Sequence, residues 1–178
     1  MARRTVTKPE LMVGGSDAAF RRFIHGFLAF AARVSEVRTR FGGYIGLSGS
    51  AYTTLISVAH LQGKNGVGVN RIAEHLHLSG SFVSIEVGKL VKAGLVAKRS
   101  DAIDRRRVLL TVTEAGHARL AQLAVVQAPV NDALFDCLDA EEFRRFAAMI
   151  ADLVPCGDRA ISMLDLLTLP QPRRAGRR

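Results

Sequence analysis

A chain of 178 residues with 48% hydrophobic content has room for one compact domain, or a small domain with a dimerisation arm, and none for a second catalytic domain. Its formal net charge of +9, from 25 Lys and Arg against 16 Asp and Glu, favours a polyanionic partner. Two cysteines far apart, Cys137 and Cys156, argue against a disulfide framework or a zinc knuckle. Met1 to Glu10 lacks the apolar core of a signal peptide, and the longest apolar run, Phe23 to Ala32, is too short and too charged at its edges to span a bilayer. The expectation is a cytoplasmic protein with no membrane contact.

In chain order, Ser16 is placed to cap a helix reaching about Arg40, with Phe20, Phe23, Ile24, Phe27, Ala31 and Val34 at helical spacing. So many phenylalanines on one surface call for cover by a partner subunit. A glycine-broken loop is expected from Gly42 to Gly49, then a helix capped by Ser48 and ending near Leu61, then a flexible connection from Gln62 to Gly68. Two short helices follow, about Asn70 to Leu76 and Ser79 to Ala93, joined by a turn through His77, Leu78 and Ser79, with Gly94 at the usual stop position. Leu95 to Ser100 and Arg107 to Val112 read as strands joined by a polar tip. Thr113 then caps a long helix through about Phe135, which contains Pro129. Asp139 with Glu142 opens another, expected to stop at Pro155 and Gly157, and Asp158 is placed to cap a last short helix to Leu167.

Projected at the helical period, the Ser79 to Ala93 segment puts Val83, Val87, Leu90 and Val91 on one face and Ser81, Ile85, Gly88, Lys89 and Lys92 on the other. One face packs and the other is free to enter a major groove. Small polar residues near the helix start, Ser79, Ser81 and Ser84, allow close approach to phosphates and base edges. Phe82 and Ile85 are unusual outward residues, suited to thymine methyl groups or to the preceding helix. The hairpin tip carries Asp104, Arg105, Arg106 and Arg107 in a row; arginines so placed suit a narrow minor groove, with Asp104 holding one of them.

The run LSGSFVSIEVGKLVKAGLVAKRSDAIDRRRVLLTVTEAG, Leu78 to Gly116, resembles the MarR family in its KAGLV helix end, its DxR tip at Asp104 to Arg106 and its LTVTEAG exit into a long helix. The resemblance implies a mainly α fold with a small β-hairpin wing, that is, a winged helix-turn-helix plus a helical dimerisation arm. On that reading the chain divides into a flexible leader (1–15), an N-terminal dimerisation helix and loop (16–47), a DNA-binding domain (48–113), C-terminal dimerisation helices (114–168) and a basic disordered tail (169–178). It also implies a homodimer on a pseudo-palindromic operator in double-stranded DNA, each wing led by Arg106. Most such proteins repress, and the resemblance implies a small-molecule or oxidant signal sensed between the dimer arm and the reading head, often an aromatic acid or a related hydrophobic anion. Ile85 stands where many relatives carry Arg, so base preference does not transfer.

Phe27, Phe30, Tyr44, Tyr52 and His60 are the candidate effector contacts. Core packing is the commoner role for such aromatics, and a half-buried, hydrogen-bonded position for such a histidine. His75 and His77 straddle a helix end and share no face for a metal, and Gly63, Gly66 and Gly68 lack the GK[ST] of a phosphate loop. With no paired carboxylates, Ser-His-Asp set or metal cluster in view, no catalytic residue, cofactor or metal is expected. The competing expectation is a winged-helix protein-interaction module whose basic surface docks an acidic partner.

Overall fold

The computed structural model describes residues 4–100 and 107–169. They form six α-helices, α1 (Ala18–Tyr44), α2 (Gly49–Leu61), α3 (Val69–Leu76), α4 (Gly80–Lys92), α5 (Glu114–Leu134) and α6 (Ala140–Thr168), and three strands, β1 (Val67–Gly68), β2 (Val96–Ser100) and β3 (Val108–Val112). Two compact units divide between Val130 and Asn131. Among the described residues no helix is long and apolar enough to cross a membrane.

Within the described residues of the leader, Thr5 is tied to the start of α1. Thr5 donates both its backbone N–H (2.7 Å) and its hydroxyl (2.8 Å) to Asp17 Oδ2, and Arg21 pairs with the same carboxylate at 3.2 Å. Two 3-10 turns, Pro9–Leu11 and Val13–Gly15, carry the chain between these anchors. Helix α1 accordingly starts behind Asp17 rather than Ser16. At its other end it runs past Arg40 through Gly42 and Gly43, so the expected loop is shorter. Gly42 acts there by allowing close packing, since a Cβ would come within 3.0 Å of Ser48 O and Tyr52 Cβ.

Helix α2 starts as its sequence dictates, with Ser48 Oγ accepting from Ala51 N at 3.2 Å. Its inner row, Leu55 and Val58, meets Ile72 of α3, Val83, Val87 and Leu90 of α4, and Val96 and Leu110 of the sheet in one core. A second cluster joins Phe41, Ile45, Tyr52 and Leu123. Burying each such aliphatic side chain is worth about 1.5–3 kcal/mol.

The Gln62 to Gly68 segment corrects the reading of a flexible connection, because β1 lies within it. The sheet order is β1-β3-β2, all antiparallel, with Val67 opposite Leu110 and Val96 opposite Val112. Gln62 Oε1 accepts from Val112 N at 2.7 Å, and Arg99 Nη2 donates to Asn65 O at 2.6 Å. A two-residue strand leaves no alternation to read; only its partners reveal it.

Thr113 joins sheet to helix. It donates N–H to Leu95 O (3.0 Å) and its hydroxyl to Gly94 O (2.7 Å), while its Oγ1 accepts from Gly116 N (3.0 Å). At Gly116 a Cβ would lie 2.3 Å from Leu95 O and 2.7 Å from Val112 Cγ1, so only glycine fits.

Within the second unit, Asp139 and Glu142 form the expected capping box: Asp139 Oδ1 accepts from Glu142 N at 2.8 Å and Glu142 Oε2 from Asp139 N at 2.9 Å. The expected stop at Pro155 and the separate helix after Asp158 are corrected, for α6 continues through both Pro155 and Gly157. Proline deletes a single backbone donor, costing about 3 kcal/mol. Long helical stretches flank it on both sides, and the apolar seven-residue repeat of Phe143, Phe146, Ile150, Leu153, Ala160, Leu164 and Leu167 crosses it in phase.

Gly116→Ala should lower stability by about 1–3 kcal/mol through overpacking, read as a shifted urea midpoint with an unchanged slope. The two donations from Thr5, aided by Arg21, hold the Asp17 carboxyl below its ordinary value of 3.8. Its tethering contribution is therefore complete above the ordinary aspartate value and is lost as pH falls through the lowered one. Hydrogen exchange on residues 5–17 should show this acid-dependent loosening, and Asp17→Asn should remove the pH dependence.

Candidate nucleic-acid interface

Helices α3 and α4 are joined by a left-handed turn. His77 sits at φ 52°, and Leu78 N donates to Ala73 O at 2.9 Å, closing the C-terminus of α3. Ser79 Oγ then accepts from Phe82 N at 3.2 Å and caps α4. The inward row of α4 is that expected from its periodicity: Val83, Val87 and Leu90 are fully buried and Val91 is half-buried.

The outward row is solvent-exposed along its length. Ser81, Ser84, Gly88, Lys89 and Lys92 all lie on the surface, with Ile85 60% exposed and Phe82 39% exposed. Ser84 donates to Gly80 O at 2.7 Å, and the Ser79 and Ser81 hydroxyls share a hydrogen bond at 3.1 Å. The seven α4 candidates from Ser79 to Lys92 thus share one exposed surface.

One residue of this helix escaped the sequence reading. Glu86 is only 2% exposed, takes a 2.6 Å ion pair from Lys89 Nζ and accepts from Ser50 Oγ of α2 at 3.1 Å. Its signal was a carboxylate three residues after Val83 and four before Leu90, on the packing face. Lys89 is consequently paired, while among the described residues Lys92 forms no ion pair.

The stem of the β2–β3 hairpin exposes Lys98, Arg99 and Arg107, and its outermost described pair is Ser100 with Val108. Asp104, Arg105 and Arg106 lie outside the described residues.

The effector candidates do not gather. Tyr52 is 1% exposed, edge-on to Phe41 at 6.2 Å, with Arg38 over its ring; burial raises its phenol pKa, and Arg38 opposes that. Tyr44 is 61% exposed at the end of α1, about 25 Å along the helix from Phe27 at 1.5 Å per residue. Phe27 stacks on Phe23 at 6.1 Å, Phe30 is half-buried, and His60 lies on the surface with its ring 5.8 Å from that of His75. Among the described residues no three His, Cys, Asp or Glu gather as metal ligands.

Residues 45–107 match the family model described as the MarR family. An uncharacterised HTH-type transcriptional regulator, YwhA of Bacillus subtilis, is 29% identical over 85 residues, 48% of this chain and 61% of that protein. The chain thus spans about six-tenths of the length of this curated relative. Among solved structures, a MarR regulator from Methanosarcina mazei superposes with a TM-score of 0.63 at 17% identity, covering 78% of this chain and 99% of that one. A variant of MarR from E. coli complexed with operator DNA gives 0.61 at 16% identity, covering 84% and 100%. CouR of Rhodococcus jostii bound to p-coumaroyl-CoA gives 0.63 at 21%, covering 72% and 90%. At these identities the structural likenesses establish the fold.

Removing Lys89 takes the countercharge from the buried Glu86 and leaves it only the Ser50 hydroxyl, whereas removing Lys92 strands nothing that is buried. Lys89→Ala should therefore cost about 1–3 kcal/mol and Lys92→Ala less than about 0.5 kcal/mol, compared by urea denaturation.

Proposed function

Residues 45–107 belong to the MarR family of winged helix-turn-helix transcriptional regulators, and from that premise we propose that this chain is a sequence-specific DNA-binding repressor, acting as a homodimer and released from its operator by a small molecule. The observation that carries the reading is α4: a capped helix locked by its buried row, whose opposite row of small, apolar and cationic side chains is left exposed. Such a helix fits one major groove, and two copies related by a dyad read half-sites about 34 Å apart. Ser79, Ser81, Phe82, Ser84, Ile85, Lys89 and Lys92 are its proposed contacts. Arg105, Arg106 and Arg107 of the hairpin are assigned to the flanking minor groove, with Asp104 holding one of them in place.

Exposed apolar surface supports the homodimer. Phe23, Phe27 and Leu28 of α1 lie open, and so do Ile161, Leu164, Leu166 and Leu167 of α6, a helix with no buried residue. Surfaces of this kind are expensive to leave in water. For the effector, the class that fits is an aromatic or hydrophobic anion. A surface groove of about 620 Å³ lined by Ala18, Arg21, Arg22 and His25 offers cationic groups on one face of α1, while Phe27 and Phe30, at helical spacing from it, belong to the opposite face.

Gel shifts with the DNA upstream of its own gene should show a preference over random duplex, and sedimentation should give a dimer. Equal binding to both duplexes would instead support a protein-interaction module without operator specificity. Arg106→Ala should weaken operator binding at least about tenfold, with the dimer intact. Lys92→Ala should reduce the slope of log affinity against log salt by about one.

A further inference from the structure

The DNA-facing row of α4 is poor in the groups that read bases by hydrogen bonding. The helix, GSFVSIEVGKLVK, holds no Arg, Asn or Gln, and of the side chains that make paired hydrogen bonds to guanine or adenine it offers only Lys89 and Lys92. Of its charged residues, Glu86 is buried and Lys89 is drawn to it at 2.6 Å. The hydroxyl of Ser84 is spent on Gly80 O, and that of Ser81 is engaged with Ser79.

What the row does present is Ile85, in line with Ser81, Gly88 and Lys92 at the helical intervals of four, three and four. Its side chain is 60% exposed, although isoleucine is an indifferent helix former and gains nothing from water. Beside it, a Cβ added at Gly88 would meet nothing within 4 Å, so the glycine does not serve packing within the chain. It leaves the helix surface low one turn after Ile85, where a wall of the groove can come close. An apolar projection beside a depression, bordered by Lys92, suits a base pair whose major-groove edge carries a methyl group.

Resting on the DNA-binding reading above, we propose that Ile85 is a specificity-determining residue that selects thymine in each half-site through its C5-methyl group. Recognition is then by removal of two apolar surfaces from water, with Lys92 and the wing cations supplying attraction to phosphate that is indifferent to sequence.

The test uses a duplex enriched by the full-length protein from a random-sequence pool, with each thymine replaced in turn by deoxyuridine, which removes only the methyl. At one or two positions per half-site the replacement should weaken binding of the unmodified protein about fourfold, the worth of one buried methyl. Ile85→Ala should bind the thymine duplex with a similar loss and be indifferent to deoxyuridine at those positions. Tolerance of deoxyuridine at every position by the unmodified protein would overturn the inference, whatever the variant does. So would an Ile85→Ala variant as sensitive as its parent. If the pool yields no preferred sequence, the DNA-reading function itself falls and takes this assignment with it; a preferred sequence insensitive to methyl removal sinks the assignment alone.

Discussion

The burial of Val83, Val87 and Leu90 governs the rest of the molecule. Three aliphatic side chains at intervals of four and three form a single stripe, and a stripe packed against α2, α3 and the sheet leaves α4 no freedom to roll. Its opposite row must then face outward. Charge reinforces the setting: Glu86 is held on the packed side by Ser50 of α2 and by Lys89 at the border of the exposed side. A carboxylate in that position gains nothing as a hydrophobe, and it ties one exposed lysine to the packed side of the helix.

The sheet is attached to this helix through the stretch that follows it. Leu95 is buried and accepts from Thr113, Thr113 also holds Gly94 O, and Gly116 lets α5 press against Leu95 and Val112. Helix end, strand end and helix start thus share one knot of hydrogen bonds and close contacts. On the outer side, β1 and the side chains of Gln62 and Arg99 tie the α2–α3 connection to the same hairpin. The cationic hairpin stem and the exposed row of α4 belong to one packed unit, which is what a surface for a long, regular ligand needs.

Much of this was legible along the chain because it rests on local chemistry. Ser48, Ser79 and the Asp139–Glu142 box mark helix starts through bonds that span only two or three residues. Gly94, at φ +72°, marks an end for the same reason. The two faces of α4 were readable from period alone. Pro155 misled because its local cost is real, whereas the advantage of one continuous helix accumulates over many flanking residues. Gln62 to Gly68 misled in the opposite sense, since glycine-rich polar sequence describes a loop until Leu109 and Leu110 are beside it.

The sequence by itself determined the extent of α4, its caps, the division between its buried and exposed rows, and the run of cationic residues that follows. Each of these depends on side chains within one or two helical turns, where spacing is dictated by backbone geometry. Only the tertiary structure decided that Thr5 is fastened to Asp17, that Glu86 is enclosed and neutralises Lys89, that Tyr52 is core, and that a third strand completes the sheet. Those outcomes require partners 11 to 75 residues away in the chain, except for Lys89, whose pairing is local but gains its meaning from the burial of Glu86. Closing such distances is decided by which apolar surfaces leave water together, a property of the whole packed unit.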